Sequence, residues 1–434
     1  MSLLNAMYTG VSGLDAESDA LNVIGNNVSN ANTTGFKESS AVFEDVMNSA
    51  IGSTNPQGAG VEVATTKQDF TQGTLESTGQ PTDLALSGNG FFVVSGSVNG
   101  TTGDFYTRNG QTSLNSTGTL VNPDGLALQG YATLPSGQLS SQLGPITLQT
   151  AALSPKATTT MTLVANLDST TAQPTSPTTG QPLAFDPQNP SATSAGPPVS
   201  MTVYDSLGGS HQVGVYFVNN GNGTWQYHEL ANGSEVQGGT AGQNVEIGSG
   251  TLTFAANGGL TSIATTTPTT VTFDGAQPQT IALNLGTPST TGGLNGVTQF
   301  NSVSAVSSQS ADGYSSGSLS GVQIGADGTV SGVYSNGQTV AVGQLAIATF
   351  GNNNGLSPTS GSLWAATQTS GAAALGAAGS GGRGSLVSGS LEESNVDIAT
   401  QFVNLIADQR GFEASSKTIT TADQMLQDLM QIVQ

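Results

Sequence analysis

The sequence predicts a mixed α and β, mainly β protein. Its terminal helices pair as a coiled coil, and nested antiparallel β-domains, sandwich-like or barrel-like, are inserted between them. Apolar residues recur every three or four positions from Met1 to about Val28 and again from Val396 to Gln434, which is the spacing of helices that pack on other helices. The chain between them is punctuated by glycine and by Asn-Gly turns, which indicates short strands. This organisation is more typical of a building block than of an enzyme.

The N-terminal helix has an apolar stripe and two glycines. Gly10 and Gly13 lie inside its pattern, and each costs about 1 kcal/mol relative to alanine, so we expect this helix to need a packing partner. The stripe comprises Leu4, Met7, Val11, Leu14, Leu21, Ile24 and Val28. We predict that it forms a helical seam between subunits. An ordinary intramolecular helix pair remains an open alternative.

The C-terminal helix carries the second half of the predicted seam. Its stripe comprises Ile398, Phe402, Leu405, Phe412, Ile419, Leu426 and Met430. We predict Ser394 as the N-cap, with Asp397 three residues later. Glu392 and Glu393 precede the cap, where the helix dipole favours acids.

Composition and charge narrow the classes of partner. Only 8% of the 434 residues are charged, and 7 basic residues against 28 acidic ones leave a net charge of -21. This charge repels nucleic acid and anionic lipid surfaces, so we expect no nucleic-acid partner. No apolar run reaches the roughly 20 residues that a membrane helix needs, so we expect no membrane insertion.

The chain start and the absence of cysteine bear on export. The first ten residues contain no basic residue, and the first one is Lys37, so we predict no cleaved signal peptide. The absence of cysteine excludes disulfides, thiolate metal sites and cysteine nucleophiles. This composition suits a protein that leaves the cell by a route other than a cleaved signal, and a cytosolic protein without cysteine remains the alternative.

Strand-like runs fill the middle of the chain. They are Phe91 to Val94, Val213 to Val218, Trp225 to Leu230, Val271 to Phe273, Ile281 to Leu285 and Val340 to Phe350. We predict a terminal helical domain from residues 1–33 and 392–434, an inner β-domain from 76–152 and 296–379, and an outer inserted β-domain from 153–295. A connector from 34–75 and 380–391 joins the first two.

The connector has a helix-like apolar spacing from Val42 to Val46, which ends at the Asn55 to Gly60 segment. We predict that the connector clamps subunits together and sets curvature. A plain linker is the alternative interpretation.

Candidate catalytic groups are few. The chain has two histidines, His211 and His228, and neither lies in a nucleophile motif or a metal-ligand spacing. We therefore predict no catalytic, cofactor or metal site, and no enzyme activity.

Several segments resemble the flagellar basal-body rod and hook axial protein family. The segment from Asp19 to Phe36 is similar to the family's N-terminal motif and includes Asn26, Asn27, Asn30, Asn32, Gly35 and Phe36. Further similar segments are Asp83 to Phe92, Tyr106 to Gly110, Asn122 to Gly125, Gly389 to Asp397 and Gln409 to Ala414. The chain length and the segments Val203 to Gly208 and Gly328 to Gly337 resemble hook members of the family more than the shorter rod members.

The resemblance implies a structural subunit that polymerises head-to-tail into a curved, flexible tube, a universal joint carrying torque from rod to filament in flagellar motility. It implies helices that line the tube and export by the flagellar type III apparatus to the extracellular hook and basal body. The implied partners are further copies of the chain, the distal rod protein, the hook cap and the hook-filament junction proteins. A distal rod protein of the same family and a secreted β-rich adhesin remain alternatives.

Overall fold

The computed structural model describes residues 3–48, 57–148, 152–194, 198–267 and 270–432. The chain divides into two compact units. The first unit contains residues 1–150, 321–333 and 339–434, and the second contains residues 151–320 and 334–338. In sequence, the second unit is therefore inserted into the first.

The two helices lie at the ends of the described chain and belong to the first unit. They are α1 (Leu3–Ser29) and α2 (Ile398–Ile432). They pack against each other in antiparallel directions, since Gly10 of α1 lies beside Ile419 and Asn27 bonds to Gln401. The predicted class, mainly β with paired terminal helices, is confirmed.

The N-terminus of α2 is capped by a different residue from the one predicted. The Asp397 carboxylate accepts the backbone N–H groups of Ala399 at 2.9 Å and Thr400 at 3.4 Å. Ser394 instead accepts the N–H of Val396, at 3.3 Å, before the helix begins. The prediction of Ser394 as the N-cap was wrong, because aspartate is an equally good cap and lies directly before the first helical residue.

In the described residues up to 148, ten strands of the first unit follow α1. They are β1 (Ser39–Asn48), β2 (Gln57–Gln68), β3 (Leu75–Ser77), β4 (Leu84–Ser87), β5 (Phe91–Val98), β6 (Thr101–Thr107), β7 (Ser113–Leu114), β8 (Leu120–Val121), β9 (Ala127–Thr133) and β10 (Leu139–Pro145).

The connector contains an antiparallel hairpin where the spacing predicted a helix. Strand β1 pairs with β2 from Ser39 opposite Gln68 to Asn48 opposite Gln57, with irregularities after Val42 and after Val46. The helical prediction for Val42 to Val46 was wrong, because these register shifts break the alternation of a regular strand and leave a helix-like spacing. Asn55 and Pro56 of the predicted break lie outside the described residues.

The described part of the second unit contains eleven strands. They are β11 (Thr160–Asp168), β12 (Val199–Tyr204), β13 (Ser210–Gly221), β14 (Thr224–Asn232), β15 (Asn244–Phe254), β16 (Leu260–Thr267), β17 (Thr270–Val271), β18 (Gln279–Thr280), β19 (Ala282–Asn284), β20 (Thr298–Phe300) and β21 (Ala305–Ala311). A 3₁₀ turn spans Pro190–Ala192. The predicted strands around Val213 and Trp225 lie inside β13 and β14.

Two main sheets enclose the core of the second unit. Strands β12 to β16 form an antiparallel meander, and β11 pairs in parallel with β19 and β20 and in antiparallel with β21. The predicted strands were all antiparallel, and the parallel pairs arise because β19 and β20 return after a long intervening segment. Since β20 and β21 pair with β11, residues 296–320 group with the second unit, whereas our prediction placed 296 onward in the inner domain.

One acidic side chain faces this core. Trp225, Tyr227, Glu229 and Ala231 alternate along the buried face of β14. Glu229 is 1% exposed, and its Oε2 has no hydrogen-bond partner among the described residues. Burial raises the pKa of Glu229 to about 7.

Within the described range 270–432, eight further strands return the chain to the first unit and lead to α2. They are β22 (Leu319–Ile324), β23 (Thr329–Tyr334), β24 (Thr339–Thr349), β25 (Ser357–Thr359), β26 (Leu363–Ala365), β27 (Ala374–Ala377), β28 (Ser385–Ser388) and β29 (Ser390–Glu392). A 3₁₀ turn spans Asn353–Gly355. In the large sheet the order is β22-β23-β24-β9-β5-β6-β26-β25, while β28 pairs with β4 and β29 with β3.

An aromatic cluster forms a core of the first unit. Phe91 contacts Phe70 and Trp364 at ring-centroid distances of 5.5 and 5.6 Å, and Phe350 at 6.0 Å. The Trp364 indole N–H donates to Gln68 Oε1 at the end of β2, at 2.6 Å. The connector hairpin is thereby joined to the β-sheet.

Candidate functional site

The helix pair brings two backbones close together along a face of small residues. A Cβ atom added to Gly10 would lie 2.8 Å from Ile419 Cγ1, and one added to Gly13 would lie 2.8 Å from Ser415 Oγ. Further along the same face, Ala20 and Ile24 are buried. The two glycines that weaken α1 in isolation are therefore positions at which α2 approaches closely.

The predicted seam of α1 lies mostly beside this buried face rather than on it. Ile24 is 7% exposed, whereas Val11 is 44% exposed. The half-buried members are Met7, Leu14, Leu21 and Val28. Leu4 lies in α1, and its side chain is outside the described residues. Pairing with α2 therefore leaves part of the apolar stripe uncovered.

The predicted seam of α2 is still more accessible. Ile398, Phe402, Phe412 and Met430 are 45%, 51%, 40% and 70% exposed. The half-buried members are Leu405, Ile419 and Leu426. Val403 and Ile406, which the prediction omitted, are 66% and 51% exposed. An accumulation of large apolar side chains on one helix marks an interaction surface.

The N-terminal motif spans the last residues of α1 and the segment that follows it. Asn27 is fully buried, and its side-chain amide accepts the Ser39 N–H at 3.0 Å and donates to Ser39 O at 2.7 Å and to Gln401 Oε1 at 3.1 Å. Asn30 donates to Asn26 Oδ1 at 2.9 Å. Asn27 thus joins both helices to the start of β1.

The remaining motif residues follow the helix end. Gly35 has a φ of +69°, and a Cβ atom there would lie 2.5 Å from the backbone nitrogen of Asn109, so only glycine fits without a shift. Its N–H donates to Glu392 O at 2.7 Å. Phe36 is half-buried and Asn32 is exposed. The motif therefore holds the chain against both the β-sheet and the C-terminal connector.

A buried ion triad joins the connector to other segments of the first unit. Lys37 Nζ is 2.6 Å from Glu392 Oε1, and Arg108 Nη1 is 3.2 Å from Glu392 Oε2. Glu392 is 0%, Lys37 1% and Arg108 3% exposed. The three residues come from the connector after α1, from the end of β6 and from β29. One carboxylate therefore joins three segments that are distant in sequence.

Backbone groups add further hydrogen bonds to the triad. Lys37 Nζ donates to Thr71 O at 2.6 Å, the Gly73 N–H donates to Glu392 Oε1 at 3.1 Å, and Arg108 Nη2 donates to Gly88 O at 2.8 Å. Burial lowers the pKa of both Lys37 and Arg108, and the Glu392 carboxylate opposes that effect.

Sequence reasoning missed the triad. Arg108 and Glu392 lie in segments that carry the family resemblance, and Lys37 follows the N-terminal motif directly. The sequence-based assignment of Glu392 to the helix dipole was wrong, because its carboxylate is engaged by two cations inside the protein. The chain has only 7 basic residues, and the presence of Lys37 and Arg108 in or beside the family-like segments could have indicated a buried ion pair.

Other candidate chemistry is limited in the described part of the chain. No group of three or more His, Cys, Asp or Glu residues there could hold a metal ion. His211 lies between Asp205 and Glu235 at 3.0 and 2.8 Å, and His228 lies 2.9 Å from Glu246. No helix in the described ranges is long and apolar enough to cross a membrane.

Four family models match the chain in order. Residues 7–37 match the Flagella basal body rod protein model, and residues 85–154 the Flagellar hook protein FlgE/F/G D1 domain. Residues 166–314 match the Flagellar basal body protein FlaE D2 domain, and residues 387–432 the Flagellar basal body rod FlgEFG protein C-terminal model. These segments include most of both helices and most strands of the second unit.

Curated relatives match over nearly the whole chain. The Flagellar hook protein FlgE of Salmonella typhimurium is 40% identical over 97% of this chain and 98% of its own length. The protein of that name from Escherichia coli K12 is 38% identical over 98% and 100%, and that from Borreliella burgdorferi is 32% identical over 99% and 100%. A solved structure of Helicobacter pylori flagellar hook protein FlgE2 aligns with 72% of this chain and 98% of its own, at 15% identity and a TM-score of 0.49.

The full-length identity and the ordered family matches agree with the resemblance found at both ends of the sequence. The chain belongs to the flagellar hook protein family.

Proposed function

We propose that this chain is a structural subunit of the bacterial flagellar hook and polymerises head-to-tail into a curved, flexible tube that transmits torque from rod to filament. The chain acts as a building block and not as an enzyme. The observation that carries the proposal is the helix pair, in which small residues meet within the chain while large apolar residues stay exposed.

Small residues form the contact between the helices, and large apolar residues remain exposed, which supports self-assembly. Gly10 and Gly13 are used inside the subunit, so Val11, Phe402 and Ile406 are left exposed. Burying an apolar side chain of this size contributes about 1.5–3 kcal/mol, and a second copy supplies the surface that does so. A contact between two different faces of identical subunits is heterologous and grows an open helical polymer when it does not close a ring.

The proposal extends to the route of export and to the neighbours of the subunit in the flagellum. We propose that the chain leaves the cell through the flagellar type III apparatus without a cleaved signal and is located in the extracellular hook. Its neighbours there are further copies, the distal rod protein, the hook cap and the hook-filament junction proteins. Family membership at 30–40% identity supports this assignment.

The test compares polymer formation by variants that keep the fold. Val11→Asp and Phe402→Asp place a charge on the exposed parts of the two helices, and Leu134→Asp makes the same change at a 46% exposed leucine in the turn after β9. We expect the two helix variants to remain folded by circular dichroism yet to form no sedimentable tubes. The Leu134 variant should polymerise like the parent chain.

Electron microscopy of the parent polymer separates the alternatives. A curved tube supports the hook, and a straight rigid tube supports a distal rod protein. Removal of residues 1–30 should leave a soluble β protein without tubes. Polymers that persist in both helix variants would exclude this surface as the assembly site.

A further inference from the structure

Two charged faces of the helix pair are unpaired within the subunit. We propose that Asp15 and Asp19 of one copy form ion pairs with Arg410 and Lys417 of the next copy, an inference that rests on the proposed self-assembly. These contacts would set the lateral order of the helix pairs in the polymer.

Basic residues are rare in this chain, and most of them already have partners, so the exposed pair Arg410 and Lys417 stands out. Of the 7 basic residues, Lys37 and Arg108 bond to Glu392, and Lys156 bonds to Asp312. Arg383 donates to the carbonyl oxygens of Ile347, Ser380 and Ala374. Three cations remain, Lys67, Arg410 and Lys417, and two of them lie on α2.

Neither pair has a partner inside the described chain. Arg410, Lys417, Asp15 and Asp19 are all exposed, and no described carboxylate lies within ion-pair distance of either cation. Glu413 is spaced to pair with Lys417 along the helix, but no such ion pair forms. In a chain with a net charge of -21, two neighbouring unpaired cations are an exception.

The two pairs lie on opposite sides of the helix pair. At about 100° per residue, Asp15 and Asp19 lie roughly 120–160° around α1 from Gly13, which faces α2. By the same measure Arg410 and Lys417 lie roughly 140–160° around α2 from Ser415, which faces α1. One outer side of the pair carries two acids, and the other carries two bases together with the exposed Glu413.

The two pairs also lie in the same stretch of the helix pair. Gly13 lies beside Ser415, and the Glu17 carboxylate lies beside Gly411. In the antiparallel arrangement this places Asp19 level with Arg410 and Asp15 level with Glu413. Lys417 lies four residues beyond that level, about 6 Å along α2, a distance that its long side chain can span. A second copy placed side by side, in the same orientation, brings the acidic side of one against the basic side of the other. Such complementarity sets register and accelerates association between chains that otherwise repel each other.

A charge-exchange experiment on the full chain tests this contact. The acid-reversed chain carries Asp15→Lys and Asp19→Lys, and the base-reversed chain carries Arg410→Glu and Lys417→Glu. For each variant alone, two attractions become repulsions, so we expect the critical concentration for polymerisation to rise about tenfold or more. An equimolar mixture should polymerise near the parent concentration, because every contact then joins unlike charges when the two chains alternate.

The controls separate this contact from the proposed function. Asp104→Lys with Asp274→Lys gives the acid-reversed change in net charge at exposed sites away from the helices, and this variant should polymerise like the parent. Reversed variants that polymerise at the parent concentration, or a mixture that fails as each variant does, would overturn the ion-pair contact. A parent chain that forms no polymer at all overturns the proposed function instead.

Discussion

The buried triad predicts a large effect of one conservative substitution, Glu392→Gln. The glutamine keeps the size of the side chain but removes the charge that Lys37 and Arg108 share, and both cations are almost fully buried. Breaking a buried ion pair in this way costs about 3–5 kcal/mol, because the remaining charges stay out of water. This is a large part of a typical total stability of about 5–15 kcal/mol. We therefore expect the first unit of the variant to unfold more readily than that of the parent chain.

The positions of the two tryptophans allow the unfolding of the first unit to be measured separately from that of the second. The chain has two, Trp364 in the first unit and Trp225 in the second, and both are buried. In a Trp225→Phe background, urea unfolding followed by Trp364 fluorescence reports on the first unit. With a slope of about 1–3 kcal/mol per molar urea, the Glu392→Gln midpoint should fall by roughly 1 M or more.

The neighbouring residue provides the matched control. Glu393 is exposed and its side chain has no ion pair among the described residues, so Glu393→Gln should leave the midpoint within about 0.2 M of the parent. Equal midpoints for the two glutamine variants would refute the reasoning, since they would show that the Glu392 charge contributes nothing to the fold.

Two further predictions concern Glu229 and the helix glycines. Burial raises the pKa of Glu229 to about 7 from 4.5, so the folded chain keeps a proton that the unfolded chain releases. Ionisation of this group should lower the free energy of unfolding of the second unit by about 3 kcal/mol between pH 4.5 and pH 8. In a Glu229→Gln variant, unfolding measured by the fluorescence of Trp225 should no longer show this pH dependence. Gly10→Ala should destabilise the helix pair, because its Cβ would lie 2.8 Å from Ile419 Cγ1. Gly25→Ala, with nothing within 4 Å, should stabilise α1 by up to about 1 kcal/mol, and thermal unfolding by circular dichroism that ranked the two variants in the opposite order would contradict the close approach.

Local patterns in the sequence were sufficient for the class of fold and for the family. The spacing of apolar residues predicted α1 and α2, because a helix face repeats within a few residues. Asn-Gly turns and alternating runs predicted strands such as β13 and β14, for the same local reason. Where a strand carries bulges, as in β1, the local spacing misled the prediction.

Periodicity and turn chemistry are local properties, so the order of the amino acids was enough to predict two amphipathic helices at the ends of a β-rich chain. The folded structure was needed to establish which face of α1 meets α2, since Gly10 and Gly13 weaken an isolated helix and become contacts only when a second backbone approaches. It also decided that Lys37, Arg108 and Glu392 meet, although hundreds of residues separate the first from the last. A buried charge is stable only beside its partner, and that partner is chosen by the folding of the whole first unit rather than by neighbours in sequence.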